Sequence, residues 1–211
     1  MSLIPRGLPL TGPDYRIEVH SEAWGGRDTL IEKQGNSIRI DRPGIQSDYS
    51  ITVADDSLVL ERDAYNQRIE IAQRGDAIEI KRPFMPYDDV TIRREQNKIV
   101  VDRQSAFKDV SYERADNEFR IQREAAGKDV VLRRTEAGFE IDRQNGPDVA
   151  IKLSGLAAEQ GLDMNVWAPR MGLEPQGYAL VEKWLAGGLN CHDLLTITEE
   201  GDITLWDRSL T

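Results

Sequence analysis

Lys98-Ile-Val-Val-Asp-Arg103, then Asp109-Val-Ser-Tyr-Glu-Arg114, then Glu118-Phe-Arg-Ile-Gln-Arg123: this stretch decides the fold. Each run alternates apolar and polar residues, the period-2 pattern of a strand with one buried face. The first run has relatives on both sides. They are Ser37-Ile-Arg-Ile-Asp-Arg42, Ser57-Leu-Val-Leu-Glu-Arg62, Ala77-Ile-Glu-Ile-Lys-Arg82 and Gly138-Phe-Glu-Ile-Asp-Arg143, at steps of 20 or 21 residues. An earlier copy, Tyr15-Arg-Ile-Glu-Val19, lacks the arginine. The second run returns as Asp89-Val-Thr-Ile-Arg-Arg94, Asp129-Val-Val-Leu-Arg-Arg134 and Asp148-Val-Ala-Ile-Lys-Leu153. Looser versions are Tyr49-Ser-Ile-Thr-Val53 and Arg68-Ile-Glu-Ile71. A fixed period of this kind is the signature of a repeat architecture.

The junctions predict hairpins. Gly35-Asn36, Asp55-Asp56, Gly75-Asp76, Gln96-Asn97, Asp116-Asn117 and Ala137-Gly138 separate the runs on one side. Asn, Asp and Gly tolerate the positive φ that tight turns use. The other connection is about five residues long, too short for a parallel crossover, so every neighbour is expected to be antiparallel. The expected fold is mainly β: an antiparallel meander of about seven hairpin repeats of ~20 residues. One domain is expected over 1–211, with repeats at about 15–153.

Alternation assigns the faces. Ile38, Ile40 and Arg42 share one side, as do Val90, Ile92 and Arg94. Arginines therefore line both rims of an apolar band: Arg42, Arg62, Arg82, Arg103, Arg123 and Arg143 on one, Arg94, Arg114 and Arg134 on the other. The apolar face must be covered. A propeller buries both faces of its blades and fits poorly, because one face here is polar. Two solutions are left: a barrel, closed or nearly so and plugged by apolar residues, or a meander folded into two layers. The period and two-strand layout resemble tyrosine-aspartate shell repeats, but their Tyr-Asp and Gly-Arg signatures are absent.

The period breaks at about 155–192. Within it, Gln176 to Ala186 reads as a short helix with Tyr178, Val181, Trp184 and Leu185 on one face and Gly187-Gly188 at its end. The expectation is a helical insertion, bringing Trp167, Met171 and Trp184 as apolar cover. A closing hairpin is expected at about 194–208, from Leu194-Leu-Thr-Ile-Thr198 to Ile203-Thr-Leu-Trp-Asp-Arg208.

Composition sets limits on partners. Net charge is −10, so nucleic acid and anionic membranes are disfavoured. The single cysteine, Cys191, excludes an internal disulfide. No run approaches the ~20 apolar residues of a membrane helix. Met1 to Gly12 has no signal-peptide layout, so the expected location is cytoplasmic, or exported without a cleaved signal.

Reactive motifs are scarce. Cys191-His192-Asp193 contains a nucleophile and a base, the ingredients of a cysteine-dependent hydrolase. Catalytic partners seldom adjoin in sequence, so incidental loop residues are the plainer reading. With His20 the only other histidine, no zinc spacing arises. Asp48, Asp89, Asp109, Asp129 and Asp148 recur at one level. A calcium ladder would need a Gly-rich nonapeptide that is absent, so loop caps or ion pairs with the repeat arginines are expected. The arginine rows read as a frame for the core, with their stems on apolar surface. No cofactor or metal is expected.

The leading functional expectation is a non-enzymatic protein-interaction or structural module. Trp24, Tyr87, Trp167 and Trp206 are the anchor candidates, because interfaces favour aromatics. The alternative is a carrier enclosing an apolar small ligand. Exposed strand edges also make a homodimer conceivable.

Overall fold

The computed structural model describes residues 8–20, 28–42, 48–62, 67–152, 175–197 and 201–206. Among them, the alternating runs form strands as the sequence dictates. They are β1 (Tyr15–Val19), β2 (Thr29–Gln34), β3 (Ser37–Asp41), β4 (Tyr49–Ala54), β5 (Ser57–Arg62), β6 (Gln67–Arg74) and β7 (Ala77–Lys81). They continue with β8 (Val90–Glu95), β9 (Lys98–Arg103), β10 (Val110–Ala115), β11 (Glu118–Arg123), β12 (Val130–Thr135), β13 (Gly138–Arg143) and β14 (Val149–Lys152). One helix, α1 (Pro175–Leu185), and a pair of short strands, β15 (Leu195–Ile197) and β16 (Ile203–Leu205), complete the described elements.

Strands β1 to β14 form one antiparallel sheet in chain order. β1 and β14 are its ends, so the closed barrel is not formed. Among the described residues no strand pairs β1 with β14. By contacts the chain divides into two compact units, Met1–Asp89 with Asn190–Arg208, and Val90–Leu189 with Ser209–Thr211.

The hairpin turns hold two residues each, as in Gln34 opposite Ser37 and Glu95 opposite Lys98. Positive φ occurs at the first turn position in three of them: Gly35, Gly75 and Gln96. Asp55-Asp56 and Asp116-Asn117 make their turns without it. The β12–β13 turn is Glu136-Ala137, one residue earlier than expected, because Thr135 pairs with Gly138.

In the second unit the register explains the two arginine rims. Directly opposed residues make rows across the strands. One row runs Arg94, Ile99, Tyr112, Ile121, Val130, Arg143. The next runs Arg114, Phe119, Leu132, Ile141, Val149. The rows slant because each five-residue connection shifts the register. An apolar band then drifts along the sheet, and its rows start or end at an arginine. Ile99, Tyr112 and Ile121 are buried at its centre. Helix α1 lies over this face: it touches β9 and buries Val181 and Trp184. The side chain of Tyr178 and residues 153–174, including Trp167 and Met171, lie outside the described set. The Arg94 guanidinium donates to the Trp184 carbonyl at the helix end (3.4 Å), and Arg114 pairs with Glu182 (3.3 Å). The helix ends at Gly187, whose φ of +84° suits glycine and whose N–H returns to the Trp184 carbonyl.

In the first unit the cover is the hairpin β15–β16, preceded by a 3-10 turn at Cys191–Leu194 that packs on β5 and β6. Leu194, Leu195, Ile197, Leu205 and Trp206 are buried there. Gly201 passes over the sheet so closely that a Cβ would stand 3.0 Å from Ile40 Cγ2. Arg42 pairs with Asp202 (3.2 Å). Lys33 faces the core and is buried, yet it is satisfied: Nζ donates to the carbonyls of Gly12 and Gly35, each at 2.7 Å. The N-terminal segment is tied down by that ammonium.

The recurring aspartates are loop clamps. Asp48, Asp89, Asp109, Asp129 and Asp148 each accept, through Oδ1, the backbone N–H of Arg42, Arg82, Arg103, Arg123 and Arg143, at 2.6 to 3.2 Å. The bond is to the main chain, so the aspartate and the arginine side chain keep their opposite faces. Expected ion pairs between them are not how the carboxylates are used. In two loops the guanidinium takes the carbonyl just before the aspartate: Arg82 to Asp88 and Arg123 to Lys128. The Asp109 and Asp129 carbonyls also receive N–H groups from Glu124 and Gln144, one hairpin on. Ion pairs occur instead on the polar face, where Arg133 joins Glu118 (2.8 Å) and Asp142 (3.4 Å) across strands. Those arginines, Arg133 first and then Arg120, hold the Glu118 carboxyl below its ordinary range.

Two outcomes follow for stability. Asp129→Ala loses a side-chain cap and is expected to cost about 1 kcal/mol in urea unfolding, while Asp129→Asn, whose amide oxygen still accepts, loses less. Burial pushes the Tyr112 phenol up to about 12. The unfolded chain then gives up that proton first, so stability falls between about pH 10 and 12. Tyr112→Phe removes that slope.

Candidate functional site

Three of the sequence-predicted residues stand at one place or lie in plain view. Cys191 opens the 3-10 turn and is 1% exposed. Burial raises its thiol pKa. The His192 ring lies 3.3 Å from the Ala54 carbonyl through Nε2, and its backbone N–H donates to the Asn190 side chain. Asn190 and Asp193 form a reciprocal capping box that starts the turn. These residues fix the geometry of the turn. A buried thiol with a raised pKa is a poor nucleophile. His20 is exposed near Asp28 (3.3 Å), far along the chain from Cys191.

Of the four anchor candidates, Trp206 corrects the sequence reading. It is 3% exposed, because it follows β16 and turns into the core rather than outward. Trp24 and Trp167 lie outside the described residues. Tyr87 is 76% exposed, in a 3-10 turn at Pro86–Asp88. Its loop also exposes Phe84 and Met85. Sequence reasoning passed over these two, although Pro83-Phe-Met-Pro86 is an apolar run in a loop otherwise built from polar residues.

It also missed Phe107. This ring is 71% exposed, and its backbone has φ of +63°. A bulky residue in the left-handed region is an outlier. Counting back two places from each clamp aspartate finds Gln46, which lies outside the described residues, then Tyr87, Phe107, Gly127 and Gly146. Gly127 and Gly146 sit at φ of +79° and +136°. The loop position thus calls for glycine in three repeats by conformation and receives a phenylalanine in one. Lys108 and Lys128, next to that position in successive loops, are exposed cations.

A recess among Tyr49, Leu60, Arg62, Gln67, Ile69, Ile203 and Leu205 offers about 80 Å³. Ligand pockets are commonly ~300–1,000 Å³. The Arg62 guanidinium lies 5.3 Å from the Tyr49 ring centre and shapes its rim. Among the described residues, no group of three His, Cys, Asp or Glu side chains is placed to hold a metal ion. No described helix is long and apolar enough to cross a membrane.

No family model, curated protein or solved structure matches this chain.

The buried thiol sets a test. Cys191 is expected to resist a thiol reagent in the native chain and to react fully once urea unfolds it; fast labelling of the native chain would contradict the burial.

Proposed function

We infer that this chain is a non-enzymatic module that binds a protein partner through its loop rim. The observation that carries this reading is Phe107. An exposed ring adds nothing to the core, and its left-handed backbone costs about 1–2 kcal/mol. Strain of this kind collects at functional sites. Glycine would serve the loop at least as well, as it does at Gly127 and Gly146. An aromatic held there at a cost is suited to fill a pocket on another molecule. Lys108 and Lys128 flank that level and favour a partner whose pocket carries carboxylates. In the first unit, Phe84, Met85 and Tyr87 make a second exposed apolar group on a loop of the same kind.

The test separates binding from folding. In Phe107→Gly, relief of strain offsets the extra flexibility of glycine, so unfolding free energy is expected within about 1 kcal/mol of the parent. Partner capture, measured as the proteins retained by immobilised chain, is expected to fall. Tyr87→Ala tests the other loop in the same way. Identical capture by the parent and both variants would remove this reading, and a large loss of stability in Phe107→Gly would make the ring structural.

A further inference from the structure

Asn145-Gly146 is the one Asn-Gly pair in the chain. It stands in the connection between β13 and β14, and both residues are exposed. Gly146 has φ of +136°. Among the described residues, no hydrogen bond engages the Asn145 carboxamide or the Gly146 N–H. The other described asparagines differ. The Asn97 amide donates to the Arg114 carbonyl, and the Asn190 side chain accepts from His192. Asn36 and Asn117 precede Ser37 and Glu118, whose side chains crowd the following nitrogen.

We propose that Asn145 is a self-modifying site that converts, in the folded protein, to aspartate and isoaspartate. The Gly146 nitrogen gives up its proton and attacks Asn145 Cγ. The Cγ–Nδ2 bond breaks and ammonia leaves, which closes a five-membered imide. Water then opens the imide at either carbonyl. One opening gives aspartate; the other routes the main chain through the side chain and gives isoaspartate. The sum is one amide and one water to one carboxylate and one ammonium ion, the acid's proton passing to the released ammonia, with no change of oxidation state. Glycine at 146 matters because no Cβ shields the attacking nitrogen. Asparagine is already among the thermolabile residues.

The place gives the change a structural effect. The Asn145 carboxamide lies over Gly127, in the space a Cβ at 127 would need. Conversion puts a negative charge there. Isoaspartate also lengthens the main chain between Arg143 and Asp148. Their clamp, Arg143 N–H to Asp148 Oδ1, is the longest of the five at 3.2 Å. It secures β14, the strand at the end of the sheet. Conversion therefore loosens the last strand.

The experiment incubates the folded full chain at about pH 6 and about pH 8, beside a urea-unfolded reference, and maps its peptides by mass. The Asn145 amide is expected to disappear first. Its loss should speed up about tenfold per pH unit, since the attacking nitrogen must be deprotonated. Enzymatic methylation should find isoaspartate at 145, and Asn145→Gln should show none. Hydrogen exchange should then lose protection in β14 of the converted chain. A folded chain that keeps the Asn145 amide while the unfolded one loses it would overturn the site. Conversion with β14 protection unchanged would overturn the proposed effect.

Discussion

Five connections in this sheet, those after β3, β7, β9, β11 and β13, depend on one bond: an aspartate carboxylate accepting the backbone N–H of the arginine that ends or follows the preceding strand. That N–H lies just past the ladder, where the partner strand no longer supplies a carbonyl, and a donor left there without a partner would cost free energy. The aspartate supplies the acceptor from the far end of the same loop. The distance from Arg to Asp sets how long the loop can be, so the clamp fixes the step to the next strand. The carbonyls of Asp109 and Asp129 then take N–H groups one hairpin on, which couples these two loops to their successors.

From this step the slanted rows follow. The register shift at one rim and the two-residue turns at the other displace the apolar band along the sheet from hairpin to hairpin. Isoleucine, valine and aromatic side chains therefore meet across strands, and arginines meet the row ends. The heads of Arg82, Arg94 and Arg123 reach carbonyls, those of Arg42 and Arg114 reach carboxylates, and that of Arg62 reaches the Tyr49 ring. On the opposite face, alternation leaves Arg, Glu and Asp to pair with one another across strands. Such exposed pairs are each worth little, but they leave like charges apart and keep the face wet.

Each unit closes its apolar face by a different piece of the C-terminal region. In the first unit the hairpin β15–β16 and the turn at Cys191–Leu194 do this, and they draw Cys191 and Trp206 into the core. In the second unit α1 does it, through Val181 and Trp184. These covers use Trp184, Cys191 and Trp206, and among the described residues the large apolar side chains left exposed, Phe84, Met85, Tyr87 and Phe107, are on loops. There the exposed rings of Tyr87 and Phe107 stand at one level of the repeat, two places before the clamp aspartate. The binding reading rests on these rings and not on the tryptophans.

The sequence by itself determined the strands, their antiparallel order, the two rims of arginine and the buried pairs such as Ile38 with Ile40. Period-2 alternation and turn chemistry are local, so they survive without knowledge of the rest of the chain. The α1 face and its glycine stop were legible for the same reason. That a C-terminal helix brings Trp184 as cover was also legible; only the tertiary structure decided that the turn at Cys191–Leu194 and the hairpin β15–β16 cover the first unit, and with it the burial of Cys191 and Trp206, since burial is set by elements distant in sequence. It also decided what the aspartates bind. Alternation says which face a side chain takes, but a loop can bring a carboxylate to a main-chain N–H that no strand pattern reports. The strain at Phe107 was half legible. Aligning the loops puts a ring where the next two loops carry glycine, but its φ of +63° is a property of the folded backbone, fixed by where the two strand ends must meet.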